Sequence, residues 1–286
     1  MTSARRASRG EARRGEAIPP AADNGMMNVE ELRAFFAGRL IGRRIEFHEE
    51  VGSTNTEAMR LALEGAPEGT VVLADAQSGG RGRLDRTWES PPSRNLYLSV
   101  VLRPDIPAAR ASLIPLTAGV AAADALSPYC PGRVRLKWPN DVLVGGKKIC
   151  GILTEMRTRG DRVHFLVVGI GVNLNMGRFD FPRELRDTAT SLQIETGGDV
   201  DRLDFAVRLF ESIERGYRVF LGGGEAAIRE RWLQGADLVG KRVEVVLGKT
   251  TERGTVVGLD PTGALLLEGE TGVRQVLAGD VYIERV

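Results

Sequence analysis

The chain has few of the residues that build metal centres or disulfide frameworks. Its 286 residues include two cysteines, Cys130 and Cys150, and two histidines, His48 and His164. The cysteines lack the close spacing of metal-binding or redox pairs, and the histidines lie far apart, so neither a zinc site nor a disulfide framework is indicated. We therefore expect a reducing, cytoplasmic compartment.

Long apolar runs and an excess of one charge are also missing. No apolar stretch approaches the roughly 18 residues that a membrane helix needs, and the formal net charge at pH 7 is +1. Neither a membrane segment nor an overall basic field for nucleic acid is indicated. With 42% hydrophobic and 27% charged residues, the chain can form one large core and a small second domain.

Residues 1–26 differ from the rest of the chain in composition. They contain five arginines, three acidic residues and almost no side chain suited to burial. Because such a segment cannot offset its ordering entropy, it is predicted to be a disordered tail. A basic arm for nucleic acid is disfavoured, since the acidic residues dilute the charge and no aromatic residues are interleaved.

Residues 27–236 alternate helix and strand patterns, which indicates an α+β domain. Asn28 and Glu31 have the spacing of a capping box before a helix over 29–40, and Ser53 opens a helix that ends near Glu64. Further helices are predicted over 112–126, 203–220 and 224–235. Strands are predicted over 43–51, 70–77, 95–102, 134–138, 141–144, 147–156 and 162–174.

The last part of the chain, residues 237–286, has a different texture. Five short strand patterns follow one another, separated by turns rich in glycine, Asp-Pro and Thr-Gly. Five such strands within about fifty residues predict a small SH3-like β-barrel.

A loop rich in glycine and arginine, "QSGGRGRLDRTWESP", covers residues 77–91. Gly80 and Gly82 allow the backbone to approach a ligand closely, while Arg81 and Arg83 carry guanidinium groups suited to carboxylate or phosphate. A solvated surface loop would explain the same residues. The stretch is not a Walker A loop, because no Gly-Lys-Ser/Thr sequence ends it.

A lysine inside an extended, β-branched run also requires an explanation. Lys137 opens "KWPND", residues 137–141. Either this stretch is an edge strand in which solvent compensates the charge, or Lys137 faces an anionic ligand. Similarly, Ser53 is explained by helix capping or by ligand binding, and "GIGVN" at 169–173 by strand packing or by the floor of a site for a flat ring.

Together, and in this order, these stretches resemble the bacterial biotin protein ligases, in the form without the N-terminal DNA-binding domain. The resemblance runs from about Val51 to the C-terminus. It is carried by Ser-Thr-Asn at 53–55, Gln77, Gly-Arg-Gly-Arg at 80–83, Trp88, "NLYLS" at 95–99, "KWPND" at 137–141, "GIL" at 151–153, "GIGVN" at 169–173 and "ATSL" at 189–192. The combination of Gly-Arg-Gly-Arg with Lys-Trp-Pro-Asn-Asp is highly specific.

The resemblance implies a fold and an activity. The fold would be a mixed sheet backed by helices, related to class II aminoacyl-tRNA synthetases, with an SH3-like C-terminal domain. The activity would be that of a ligase using ATP and Mg²⁺, which activates biotin as biotinyl-5′-AMP. The enzyme would then transfer biotin to one lysine of a biotin carboxyl carrier protein domain.

The resemblance also implies roles for individual residues. Lys137, Arg81 and Arg83 are expected to be catalytic, and Asp141 is a candidate metal ligand. The residues expected to bind biotin are Ser53, Thr54, Asn55, Gln77, Gly80, Arg81, Gly82, Arg83, Trp88, Lys137 and Gly151. Those expected to bind ATP are Arg81, Arg83, Lys137, Asn140, Asn173 and Ala189.

Two features depart from the family pattern. Asp85 stands where the family loop usually has a glycine, which affects the expected flexibility of the loop more than its chemistry. Too few residues precede Ser53 for a helix-turn-helix domain, so DNA binding is not expected; a homodimer is left open. The alternatives are a lipoate-protein ligase and a non-catalytic biotin-sensing protein.

Overall fold

The structure is a computed structural model that describes residues 27–284. The predicted disordered tail, residues 1–26, lies outside the described residues.

A seven-stranded sheet forms the centre of the first part of the chain. Its strands are β1 Arg44–Val51, β2 Thr70–Gln77, β3 Leu96–Leu102, β4 Val134–Lys137, β5 Asp141–Val144, β6 Lys147–Arg159 and β7 Arg162–Val172. The spatial order is β1-β2-β3-β7-β6-β5-β4, with β1 and β2 parallel and the other neighbouring pairs antiparallel. The prediction of a mixed sheet is therefore confirmed.

The helices cover the two faces of this sheet unequally. They are α1 Val29–Phe36, α2 Thr54–Leu63, α3 Ile114–Leu126, α4 Leu192–Thr196, α5 Arg202–Leu221 and α6 Glu225–Ala236. Val71 and Leu73 of β2 belong to the large core with α1, α3, α5 and α6, whereas Val72 between them packs with α2. Because side chains alternate along a strand, α2 covers the face opposite to the large core.

Two helix boundaries differ from the predicted ones. The first helix ends at Phe36 rather than near residue 40, since Gly38 has a φ of +81° that a helix cannot continue. The helix predicted to begin at residue 112 begins at Ile114, after a 3₁₀ turn over Ala108–Leu113. Pro115 lies in its first turn, where the missing N–H is tolerated.

The C-terminal strands form a second, antiparallel sheet. They are β8 Arg242–Leu247, β9 Thr250–Leu259, β10 Leu265–Gly269, β11 Gly272–Val276 and β12 Asp280–Ile283. Their order is β11-β10-β9-β8-β12, and the two edge strands do not pair with each other within the described residues. The five predicted strands are present, but the sheet stays open and the expected barrel closure is not found.

The C-terminal sheet packs directly against the first part of the chain. Val243, Val256 and Leu265 belong to the same hydrophobic core as Leu116 and Trp138. The indole N–H of Trp138 also donates a hydrogen bond of 3.1 Å to the carbonyl of Gly263. The segment around Trp138 therefore lies at the contact of the two sheets. Across residues 27–284, no helix combines the length and hydropathy required to cross a bilayer.

Candidate active site

A cleft opens on the face of the central sheet that α2 covers only in part. Helix α2 packs on Val72, Val101, Phe165 and Val167 at one end of this face. The remainder of the face forms the floor of a cleft that encloses about 460 Å³, including its open mouth. Its lining residues are Ser53, Thr54, Asn55, Gln77, Arg81, Gly82, Arg83, Trp88, Tyr97, Leu98, Asn140, Lys148, Gly151, Ile152, Leu153, Gly169, Ile170 and Gly171.

The structure brings most of the predicted site residues to this cleft. The predicted residues that line it are Ser53, Thr54, Asn55, Gln77, Arg81, Gly82, Arg83, Trp88, Asn140 and Gly151. They come from the start of α2, the end of β2, the 77–91 loop, the β4–β5 turn and β6. Lys137, Asp141, Asn173, Ala189 and Gly80 are not among the lining residues.

A network of short polar side chains connects the start of α2 with the end of β2. The Gln77 side-chain oxygen accepts hydrogen bonds from the backbone N–H and the hydroxyl of Thr54, at 2.9 and 3.2 Å. The hydroxyl of Ser99 lies 2.9 Å from that of Thr54 and 2.6 Å from the side-chain oxygen of Asn55. Since these groups are buried, the network fixes the orientation of the polar groups at the end of the cleft.

Ser53 has a free hydroxyl at this end of the cleft. It is the N-cap residue of α2, but its side chain makes no capping hydrogen bond to the described helix. The residue is nevertheless buried and lines the cleft. Capping therefore does not explain this serine, and its hydroxyl is available to a ligand.

The 77–91 loop has an ordered backbone that folds back on itself. The N–H of Trp88 donates to the carbonyl of Gly80 at 3.0 Å, and the N–H of Gly82 to the carbonyl of Arg86 at 2.7 Å. A Cβ on Gly80 would lie 2.3 Å from the carbonyl oxygen of Trp88. Gly80 therefore permits this close approach of two backbone segments, although it does not itself line the cleft.

The two arginines of the loop have different partners. One terminal nitrogen of Arg81 lies 2.9 Å from a carboxylate oxygen of Glu155. Arg83 donates at 2.9 Å to the side-chain oxygen of Asn140, a neutral partner, and forms no ion pair within residues 27–284. Arg83 is therefore a cation at the cleft whose charge is not balanced by an adjacent carboxylate.

Trp88 lies flat on a row of glycines in the sheet. A Cβ on Gly171 would come within 2.5 Å of the indole ring, and one on Gly151 within 2.9 Å. These two glycines are paired across β6 and β7. In the same way, a Cβ on Gly169 would lie 2.1 Å from the side-chain oxygen of Asn55. The glycines therefore allow Trp88 and Asn55 to rest directly on the strands.

Lys137 is not among the lining residues of the cleft, and its catalytic role stays a prediction. The ammonium group of Lys137 lies over the ring of Tyr282 in β12, 5.0 Å from its centroid. The lysine that lines the cleft is Lys148, at the start of β6. Its ammonium lies 2.7 Å from a carboxylate oxygen of Asp141 and 5.4 Å from the centroid of the Trp88 ring. Strand β4 thus directs Lys137 to the C-terminal sheet, and β6 supplies a lysine to the cleft.

The acidic residues near the cleft do not form a metal site of their own. Asp141, the predicted metal ligand, is paired with Lys148, and Glu155 is paired with Arg81. Among the described residues, no group of three histidine, cysteine, aspartate or glutamate side chains could hold a metal ion. A divalent cation would therefore need most of its ligands from a bound substrate, as Mg²⁺ does with nucleotide phosphates.

Asn173 and Ala189 lie next to the start of β6, outside the lining of the cleft. The side-chain amide of Asn173 donates to the carbonyl of Thr190 at 3.0 Å, and Asn173 is buried. Ala189 forms a parallel bridge with Lys148. Asn173 therefore fixes the segment that carries Ala189 next to the cleft lysine.

Tyr97 anchors the far end of the 77–91 loop. Its hydroxyl donates to the carbonyl of Pro91 at 3.0 Å. Burial raises the pKa of this hydroxyl far above its usual value, so Tyr97 remains a neutral donor. At the middle of the loop, Arg86 pairs with Asp280 of β12, and that partner raises the pKa of the guanidinium.

Sequence reasoning did not identify Lys148, Glu155 and Ser99. Lys148 is one of two adjacent lysines. Because the register of the β5–β6 pairing shifts, the simple alternation of side chains along a strand does not predict that Lys148 faces the cleft. Ser99 was visible as the polar residue in an otherwise apolar β3. A buried hydroxyl at that position requires a partner, which was a usable signal.

Comparison with known proteins agrees with this geometry. Residues 48–173 match the Biotin/lipoate A/B protein ligase family, and residues 238–283 match the Biotin protein ligase C terminal domain. The chain is 36% identical over 259 residues to the bifunctional ligase/repressor BirA of Bacillus subtilis, covering 91% of this chain and 80% of that protein. It is 38% identical to the biotin–[acetyl-CoA-carboxylase] ligase of Paracoccus denitrificans, covering 80% and 96%.

The fold has the same relatives. The biotin protein ligase of Aquifex aeolicus, solved in complex with biotin and ATP, superposes with a TM-score of 0.68 at 31% identity. The match covers 85% of this chain and 100% of the other. Matches to both parts of the chain, at this identity and coverage, show that the chain belongs to the biotin protein ligase family.

Proposed function

We propose that this protein activates biotin with ATP and transfers it to a lysine of a biotin carrier protein. The observation that carries the proposal is the arrangement of the cleft. It has neutral hydrogen-bonding groups at the start of α2, an indole ring over its floor, and three cations, Arg81, Arg83 and Lys148, among its lining residues. Biotin has matching parts: a polar ureido ring, an apolar middle and a carboxylate.

The polar end of the cleft would bind the ureido ring. Ser53 offers an uncommitted hydroxyl, and Thr54, Asn55 and Gln77 are held in place by their mutual hydrogen bonds. Trp88 would cover the apolar part of the ligand together with Gly151. Such a site discriminates strongly, because a ligand without the polar ring would leave buried polar groups unpaired.

Lys148, rather than Lys137, is the lysine that we assign to the carboxylate and the α-phosphate. Adenylation joins a biotin carboxylate oxygen to the α-phosphorus of ATP and releases pyrophosphate, so two anions must approach each other. Preplaced cations lower this barrier. Lys148 supplies a compact charge from a rigid strand, and Arg81 and Arg83 supply charges from the loop above.

The second step transfers the acyl group to the carrier. The neutral amine of the acceptor lysine attacks the acyl carbon, AMP leaves, and an amide forms with loss of a proton from the nitrogen. Acyl-adenylates also react with water, so the site must exclude solvent between the steps. The 77–91 loop, with Arg81 and Arg83 directed at the cleft, is the segment that we propose as the lid.

For the nucleotide, we propose the end of the cleft near Asn173 and Ala189. Support comes from their position next to Lys148 and from Asn140, which lines the cleft and holds Arg83. Mg²⁺ would arrive on the phosphates of ATP, where it neutralises charge. We assign it no protein ligand, since Asp141 is already paired with Lys148.

We also propose finer features of the fold. The mixed sheet with helices is compatible with the class II aminoacyl-tRNA synthetase architecture, and the open C-terminal sheet with an SH3-like relationship. A domain boundary between residues 236 and 237, a cytoplasmic location, the absence of DNA binding and a homodimer stay predictions.

Biotin is favoured over lipoate by the second matching segment. The matched family for residues 48–173 includes both kinds of ligase, but residues 238–283 match the C-terminal domain of biotin protein ligases specifically. ATP–pyrophosphate exchange should depend on biotin and not on lipoate. Labelled biotin with MgATP and a carrier domain should give a labelled carrier, and an unlabelled carrier would contradict the proposal.

A further inference from the structure

Glu155 belongs to a chain of side-chain hydrogen bonds that runs along the cleft. Gln77, at the start of the loop, contacts Thr54, which contacts Ser99, which contacts Asn55. The side-chain nitrogen of Asn55 then donates to Glu155 at 2.8 Å, and also to the carbonyl of Leu153 at 3.1 Å. The same carboxylate oxygen of Glu155 accepts from Arg81 at 2.9 Å. The chain thus starts and ends on residues of one loop.

The contact leaves Arg81 in a position to bind a ligand. Arg81 lines the cleft, whereas Glu155 does not. Only one terminal nitrogen of Arg81 is committed to Glu155, and the guanidinium makes no other hydrogen bond within residues 27–284. An arginine has five N–H donors, so the others remain for a carboxylate or phosphate.

We propose that Glu155 is a positioning residue that holds Arg81 at the wall of the cleft before substrates arrive. The inference rests on the proposed function and deepens it. The backbone of Arg81 is held by a bridge to Thr87, but this bridge does not fix the direction of its long side chain. Arg81 also shares the cleft with Arg83 and Lys148, two charges of the same sign. The Glu155 carboxylate offsets this repulsion and selects one side-chain direction.

The geometry argues against two other roles for Glu155. A general base would have to reach the substrate, but both side-chain contacts of Glu155 are to protein donors and it lies outside the lining of the cleft. If Glu155 instead held Arg81 away from the ligand, Arg81 would lie outside the cleft, as Glu155 does. Since Arg81 lines the cleft while it is bound to Glu155, the contact presents the guanidinium.

The test is Glu155→Gln, which removes the charge while keeping the length of the side chain and an acceptor for Asn55. We expect the KM for biotin in pyrophosphate exchange to rise about three- to tenfold, because a partly exposed ionic hydrogen bond is lost. Release of AMP without a carrier should rise by a similar factor as the loop retains the adenylate less well. The melting temperature should not change. A purely structural role of Glu155 would instead lower the melting temperature of the variant and leave its KM unaltered.

A double-mutant cycle separates positioning from a general electrostatic effect. In an Arg81→Gln background, Glu155→Gln should cause no further change in KM or AMP release. Glu211→Gln is the matched control, because it removes the carboxylate of an exposed pair with Arg39. Glu211 lies on α5, which packs on the opposite face of the sheet from the cleft.

An equal effect of Glu155→Gln in both backgrounds, or kinetics like those of Glu211→Gln, would overturn the inference while leaving biotin ligation in place. A wild-type enzyme without biotin-dependent exchange would overturn the proposed function itself, and the inference with it.

Discussion

The ammonium nitrogen of Lys148 lies 2.7 Å from a carboxylate oxygen of Asp141, across the adjacent strands β6 and β5. Both side chains are partly buried, with exposed fractions of 34% and 20%. The contact directs the lysine to the cleft, beside Trp88. The contact also engages the carboxylate of Asp141, the residue that was predicted to be a metal ligand.

This relationship predicts which lysine drives adenylation. We expect Lys148→Ala to lower kcat for biotin-dependent pyrophosphate exchange about 100-fold, because a charge that stabilises the transition state is removed. Lys137→Ala should change kcat by no more than about threefold, since it loses only a contact with the Tyr282 ring. Steady-state exchange assays on the two purified variants make the comparison. The opposite order would restore Lys137 as the catalytic lysine.

A methyl group on the floor of the cleft should interfere with binding. In Gly171→Ala the new Cβ would come within 2.5 Å of the Trp88 ring, so the indole must move into the cleft. We expect the biotin dissociation constant, measured by calorimetry, to rise about tenfold. Gly198→Ala is the control, as no atom lies within 4 Å of its added Cβ. Unchanged affinity in Gly171→Ala would mean that Trp88 does not contact biotin.

Asp85 should restrain the loop that carries the arginines. Its φ is +56°, in the left-handed region where the usual family glycine would be unstrained. Because glycine samples both signs of φ, Asp85→Gly should speed trypsin cleavage after Arg83 in the ligand-free protein, and biotin with ATP should restore protection. Ser93→Gly, at another residue of positive φ (+59°) outside the loop, should leave cleavage unchanged. Equal cleavage rates for wild type and Asp85→Gly would show that loop order is set elsewhere.

A buried ion pair should contribute to global stability. Arg202 and Asp75 lie 2.7 Å apart with side chains 6% and 11% exposed, and Asp75 also accepts from the backbone N–H and the hydroxyl of Ser93. Asp75→Asn should lower the free energy of unfolding in urea by about 3 kcal/mol, since it leaves a buried charge without its carboxylate. Asp105→Asn, in an exposed pair with Arg162, should change it by less than about 1 kcal/mol. Equal losses would contradict this account.

The buried thiol and hydroxyl groups should make the fold sensitive to alkali. Burial raises the pKa of Cys150, Tyr97 and Tyr217 above their values in an unfolded chain. The contribution of these groups to stability is complete below their pKa in the unfolded chain, which is about 8.5 for cysteine and about 10 for tyrosine. It is lost as the pH rises towards their pKa in the folded protein. Each group should therefore steepen the fall in unfolding free energy by up to about 1.4 kcal/mol per pH unit.

Urea titrations at several alkaline pH values would measure this slope. In Cys150→Ala the slope between about pH 9 and 10 should be shallower by roughly 1.4 kcal/mol per pH unit, because cysteine is the group that titrates first. An identical slope would show that the thiol is not protected from ionisation by burial.

The sequence predicted the strands, the main helices and most of the cleft because local signals agreed there. The Gly-Arg loop has side chains and backbone freedom that suit only a few uses, and Ser53 to Asn55 follow a clear helix start. Lys148 could not be chosen over Lys137 on the same basis. Which lysine faces the cleft depends on strand register, and the β5–β6 irregularity between Val142 and Leu143 has no local signature.

The C-terminal sheet shows a second limit. Strand and turn patterns locate its five strands, but closure depends on whether β11 and β12 meet, which is a matter of tertiary packing. Likewise, the contact of Lys137 with Tyr282 joins residues more than a hundred positions apart in the sequence. Periodicity carries no information on such distances.

The glycines under Trp88 and Asn55 have a consequence for selectivity. Gly151, Gly169 and Gly171 set how low the two side chains above them can lie, and those side chains set the height left for a ligand. The thickness of the ligand that fits the cleft is thus determined by the three glycines, which lie beneath the side chains that contact the ligand. Substitutions at these three positions would shift the ligand preference towards thinner molecules in steps of one methyl group, without altering any polar group that recognises the ligand.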